Sequence, residues 1–291
     1  MKFNFLASLP IILAILASAC TEKPENPAGG TDTTVAAPEL PADPQPGATT
    51  FAHRIMLVQH TGTYCPNCPK LMNSLKALSE DESYTAKYHH VAAHSYNDNG
   101  IGDPAHSQAA ENLSQAFCSG YYPELTFNLT NESTGTSIAV ETIKNKIDAL
   151  HKEAASAGIC AATKVSDGLL SMNIGVKAAE EGTYRIAAWL LEDGIRARQE
   201  GASADWQHTH NNAIRTMAGS TINKKIYGEQ AGNIKAGEAT SMTFTIELDR
   251  TWKTENCKVI ILVNALGADG RYNVVNCALC PVDGTIEYEY K

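Results

Sequence analysis

A pair of cysteines in the form Cys65-Pro66-Asn67-Cys68 directly follows the short apolar run Arg54-Ile55-Met56-Leu57-Val58-Gln59. A continuous apolar run of this length reads as a buried strand, and Leu71, Leu75 and Leu78 keep one face of the following segment apolar at helical spacing. The chain is thereby committed to a strand, a tight turn carrying two thiols, and a helix. At a helix start the unpaired backbone N–H groups and the helix dipole stabilise a thiolate, the attacking species in disulfide exchange. The spacing therefore predicts Cys65 as the nucleophile and Cys68, one turn further in, as the resolving thiol.

The N-terminus fixes the compartment. Lys2 precedes an apolar stretch at 5–16 that is too short to span a bilayer, and the small residues Ala17-Ser18-Ala19 lead into Cys20. This arrangement resembles the lipobox of bacterial lipoproteins, with Ala17 where a leucine is usual, and implies lipidation of Cys20. An ordinary secretory peptide is the alternative, and either one exports the chain. Residues 1–19 read as the signal peptide. The Pro-, Gly-, Ala- and Thr-rich residues 20–50 show no periodicity and read as a flexible tether. The formal charge is -9, and the scattered Lys and Arg form no basic stripe, which argues against nucleic acid as a partner. No second apolar segment reaches membrane-spanning length, so lipid on Cys20 is the expected membrane attachment.

Residues 51–157 alternate strand and helix signals. Strands are expected at 53–59, 88–94 and 124–129, and helices from about Cys68, over 104–117, and from Val140 to a C-cap near Gly158. Helices between strands predict an α/β domain with a mostly parallel sheet. A strand, the two cysteines opening a helix, and Tyr122-Pro123 just before another strand together resemble the thioredoxin fold, in which a cis-proline faces the dithiol. The fuller string from Thr61 to Pro69, with the lipobox and the C-terminal half, is similar to the outer-membrane-protein-28-related bacterial lipoproteins. The resemblance implies that Pro123 presents its neighbouring backbone to an extended substrate, while Tyr64 and Tyr122 shield the disulfide. It also exposes a departure. Thioredoxins carry a buried acid six residues before the first cysteine, and Gln59 stands there; His60 belongs to the opposite strand face, so the proton acceptor is unassigned.

From residue 158 to 291 the period changes to two, as in Leu170, Met172, Ile174 and Val176, and the segment reads as an all-β sandwich of immunoglobulin-like type without a helix. A four-residue loop at 267–270 would set Cys257 opposite Cys280, a candidate structural disulfide. Zinc shared between Cys65-Cys68 and Cys277-Cys280 is disfavoured by the long separation. His208 and His210 have a metal-compatible spacing but no carboxylate or cysteine beside them, and they read as polar loop residues, as do His210-Asn211 and Arg215 in a string the family resemblance places without a ligand. No metal and no cofactor is expected. The leading expectation is a lipid-anchored, extracytoplasmic thiol-disulfide oxidoreductase of the bacterial outer membrane, on its periplasmic or surface face, acting on thiols or disulfides of exported proteins or a redox carrier. The competing one is a non-catalytic interaction lipoprotein on the same scaffold.

Overall fold

Strict alternation along one strand organises the molecule. In the computed structural model, β1 (Ile55–Thr61) turns Ile55 and Leu57 to one face of a sheet and Met56 and Val58 to the other, each face entering a different core. The structure describes residues 36–96, 102–130, 133–134, 138–151 and 154–291, and residues 35–291 form one compact unit. The signal peptide, Cys20 and the tether up to residue 35 lie outside the described residues.

In chain order β1 is followed by α1 (Cys68–Ser79), α2 (Glu82–Thr85), β2 (Tyr88–His94), α3 (Gln108–Phe117), β3 (Glu124–Phe127) and α4 (Val140–Leu150). Then come β4 (Ala157–Ser166), β5 (Leu169–Ala178), β6 (Gly182–Glu192), β7 (Ile195–Arg196), β8 (Thr209–His210) and β9 (Ala213–Met217). The chain closes with α5 (Ile222–Tyr227), β10 (Glu229–Ile234), β11 (Ala239–Glu247), β12 (Cys257–Leu266), β13 (Tyr272–Pro281) and β14 (Thr285–Ile286). Among the described residues the result is a mixed α/β architecture of sheets with few helices and no closed barrel.

Among the described residues one sheet runs β13-β12-β6-β9-β2-β1-β3, with β10 also paired to β6, and a second runs β11-β5-β4-β14. Only β1 with β2 and β2 with β9 are parallel, so the expected mostly parallel sheet is instead mostly antiparallel. The segments 51–157 and 158–291 meet in this sheet, where Ala92 of β2 pairs with Ala213 of β9. They also share a core: Met56, Val58 and Val91 pack with Trp189, Leu191, Ile214 and Ile260 beneath α3 and α5. On the other face, α1 and α4 cover the β1 end, with Leu71, Leu78, Ile143 and Ile147 on Ile55 and Leu57. The second sheet covers the β6 and β12 end, with Ile174 and Val176 packing on Ile186 and Val259.

Four local expectations need correction. Helix α4 ends at Leu150, and Gly158 lies inside β4 rather than at a cap; a glycine stands there because the ring of Phe51 occupies the space a side chain would fill. The second half does contain a helix, α5, whose Ile226 is buried against the sheet. Residues 36–50 are not free: the Nδ2 of Asn173 donates to the Pro38 carbonyl, and the buried Lys177 ammonium donates to Asp43 and to the Pro46 carbonyl. A buried ammonium needs this full set of oxygens, and it ties the segment down. Finally, Cys257 and Cys280 are free thiols. The loop between β12 and β13 spans five residues, from Leu266 to its partner Tyr272, and a bulge at Val263/Asn264 adds another, so Cys280 falls opposite Val259.

Candidate active site

The chain leaves β1 at Thr61 and makes two tight turns, Cys65 N–H donating to the Gly62 carbonyl at 3.1 Å and Cys68 N–H to the Cys65 carbonyl at 3.2 Å. Cys68 is the first residue of α1, with Asn67 before it and Pro69 behind it, where a missing N–H costs nothing. Helix α1 thus begins at the second cysteine, and Cys65 sits in the turn ahead of it. The two sulfurs are joined in a disulfide. Cys65 is 1% exposed and Cys68 fully buried, although Tyr64, Pro66 and Asn67 around them reach solvent.

The Tyr122-Pro123 peptide is cis, and Pro123 stands one residue beyond the His60 and Glu124 pair of the β1 and β3 ladder. It therefore lies at the sheet end from which the cysteine turn departs. The Tyr122 hydroxyl lies 3.1 Å from Ser95 Oγ, and its ring packs edge-on to Tyr96. Ser95 Oγ contacts Ser114 Oγ, which meets His60 Nδ1 at 2.8 Å, and His60 Nε2 reaches Thr126 Oγ1 at 3.0 Å. Burial holds the His60 imidazole neutral, its pKa down at about 4, against the pull of the Glu124 carboxylate.

On the opposite face, as the alternation requires, Gln59 opens into a cavity of about 520 Å³ that also touches Thr61, His90, His94, Trp206 and His210. Asn212 Nδ2 donates to His90 Nδ1 at 3.2 Å, so His90 Nε2 carries the proton that Gln59 Oε1 accepts at 3.1 Å. Burial depresses His90 and His210 to about 4. His94 pairs through Nδ1 with Asp103 at 3.0 Å, and the same Asp103 oxygen accepts the Thr63 N–H at 2.9 Å, two residues before Cys65. Burial pushes the Asp103 carboxyl up, but His94 and the N–H groups of Thr63 and Ala105 outweigh it and hold it below the usual carboxylate range.

The remaining predicted residues fall elsewhere. His208 Nδ1 accepts the Gln199 N–H at 3.0 Å, while His210 packs edge-on to His94, so the two histidines serve different contacts. Arg215 is bound by Glu192 at 2.7 Å and by the Pro104 carbonyl. Cys277 and Cys280, three apart on a strand, enter different cores on opposite sheet faces. The residues that sequence reasoning missed are Gln199 and Gly201, which lean on the cysteine turn from the β7 and β8 hairpin, Gln207, which leans from the same hairpin on the first turns of α1, and Asp103. A stretch such as Gln199-Glu200-Gly201-Ala202-Ser203 reads only as a loop, and nothing in it points to residue 65.

Fold and site together define a mixed α/β protein whose disulfide bridges the junction of a buried strand and a helix. A profile of the family described as outer membrane protein Omp28 matches residues 115–281, more than half of the sequence. The chain belongs to the Omp28 outer membrane protein family, and its place is the bacterial outer membrane or cell envelope. Among the described residues no helix is long and apolar enough to cross a membrane. Among solved structures it is similar to HBP35 of Porphyromonas gingivalis, at 14% identity and a TM-score of 0.65, covering 80% of this chain and 76% of that one, which is a likeness of fold. A β-glucosidase from Kluyveromyces marxianus aligns over 48% of this chain and 16% of its own at 9% identity, with a TM-score of 0.21 too low to bear on the fold. No match is found among curated proteins.

Proposed function

We propose that this protein is an extracytoplasmic thiol-disulfide oxidoreductase, anchored by lipid on Cys20, with a thioredoxin-like half fused to an immunoglobulin-like sandwich. The observation that carries the reading is the Cys65 and Cys68 disulfide at the β1 to α1 turn, with Cys68 opening the helix. A thiolate of an exported protein attacks Cys65 Sγ, the bond to Cys68 breaks, and Cys68 leaves as a thiolate that takes up a proton. A second partner thiolate then attacks the partner's sulfur in the mixed disulfide and releases Cys65. Two partner thiols become a disulfide and the protein's disulfide becomes two thiols; the reverse sequence reduces a partner. In this reading Pro123 offers the backbone beside it to the partner segment, and Tyr64 and Tyr122 flank the sulfurs.

A glutathione titration of the chain lacking residues 1–20, with alkylation of Cys65 and Cys68 read by mass, tests it. A reversible two-electron transition between about -270 and -120 mV supports exchange. A pair that stays oxidised below about -300 mV is a structural bridge. That outcome would favour the second reading, a non-catalytic interaction lipoprotein, which the burial of both cysteines already suits.

A further inference from the structure

We infer that the hairpin formed by β7, β8 and the loop between them, residues 195–210, is a gate over the Cys65 and Cys68 disulfide that swings away before any reductant or partner reaches the sulfurs. As regulation of exchange, it rests on the redox reading above. The hairpin closes the turn through polar contacts at both ends. Gln199 Nε2 donates to the Cys65 carbonyl at 2.9 Å and to the Gly62 carbonyl at 3.3 Å, and the Glu200 N–H donates to the Thr63 carbonyl at 2.7 Å. Gln207 Nε2 donates to the Pro69 carbonyl at 3.2 Å and to Asn73 Oδ1 at 3.0 Å. Gly201, at φ +72°, comes so close that a Cβ there would stand 2.2 Å from the Pro66 carbonyl oxygen.

The same hairpin is built to leave. Strands β7 and β8 contribute two residues each and form their own two-stranded sheet, outside both larger sheets. Its buried apolar anchor is Ile195, at the base beside Ala105 and Ala213, whereas Glu200, Gly201, Ser203, Ala204 and Asp205 at the tip are exposed. A segment held by hydrogen bonds and little apolar burial belongs to the low-stability end of a fold. The closed form also strands a polar atom of the hairpin: among the described residues Gln199 Oε1 is buried without a hydrogen-bond partner. It regains water on opening, so closure carries a desolvation cost that opening relieves.

The test is the rate at which tris(2-carboxyethyl)phosphine reduces the disulfide, read by quenched alkylation and mass mapping, in the wild type, Gln199→Ala and Gly201→Ala. Iodoacetamide labelling of Cys277, buried in the shared core, reports global opening in the same samples. The gate predicts reduction about tenfold faster in Gln199→Ala, the effect of one or two hydrogen bonds, and at least as much faster in Gly201→Ala, whose Cβ would push against the Pro66 carbonyl, with Cys277 labelling unchanged in both. It also predicts that wild-type reduction responds less steeply to low urea than Cys277 labelling does. Equal reduction rates in all three proteins, or a wild-type rate whose urea dependence matches that of Cys277, would overturn it. Because phosphine needs no partner protein, a gate that passes this test alongside a disulfide that fails the glutathione titration would refute the redox reading alone.

Discussion

His60 gives the most direct handle on how the buried site responds to acid. Its imidazole is fully buried between Ser114 and Thr126, with a pKa near 4, whereas an unfolded histidine titrates near 6.5. As pH falls the unfolded chain takes up this proton first. The stability that neutral burial contributes is therefore whole above about pH 6.5, drains away between there and pH 4, and levels off below. Over the step from pH 7 to pH 4.5 the two pKa values give a loss of roughly 2.5 kcal/mol for this one residue. Glutamine in its place keeps a donor and an acceptor for the two hydroxyls but carries no titrating group. Urea unfolding of the wild type and His60→Gln at pH 7 and 4.5 isolates the effect as the difference between their acid losses. The wild type should lose roughly 2.5 kcal/mol more than the variant over that step. Equal losses would mean that His60 is protonated in the folded protein or open to water, and the argument from its burial would fall.

Two further outcomes follow from packing. Arg215→Ala should cost about 3–5 kcal/mol in urea unfolding, because it abandons the buried Glu192 carboxylate, and Arg215→Met with Glu192→Met should recover most of that; a loss under about 1 kcal/mol for the single change would refute it. Gly158→Ala should cost about 1–3 kcal/mol, since its Cβ would stand 2.2 Å from the Phe51 ring, itself packed at a tilt against Tyr288 and Tyr290; combined with Phe51→Leu the two losses should fall short of additive, and strict additivity would sink the steric account.

What could be read from the residues was local. The apolar run before Cys65, the Leu71, Leu75 and Leu78 stripe and the alternation in β5 each announce an element whose period is its own evidence. The register of β13 was not legible, because a loop one residue longer than expected and one bulge move Cys280 two positions along its partner strand. Nor was the joining of the halves, which pair in the sheet at one position, Ala92 with Ala213, and otherwise meet through scattered hydrogen bonds and a core whose members are apolar in any arrangement. The cover over the cysteines escaped for a similar reason. Gln199 and Gln207 act through side-chain amides on backbone carbonyls, and carbonyls carry no residue identity for a sequence to match.

The shared core also sets a timetable. Met56 and Val58 share their core with Trp189, Leu191, Ile214 and Ile260, all far downstream in the chain. A polypeptide delivered to the envelope from its N-terminus therefore presents Cys65 and Cys68 while the strands that complete their neighbourhood, and residues 195–210 that roof them, have yet to arrive. In the gated protein proposed above, a bond closed at that stage would form on an open turn. A reductant that came later would meet the turn with Gln199 and Glu200 already bonded to its carbonyls, so forming and breaking the bond would take place in different surroundings.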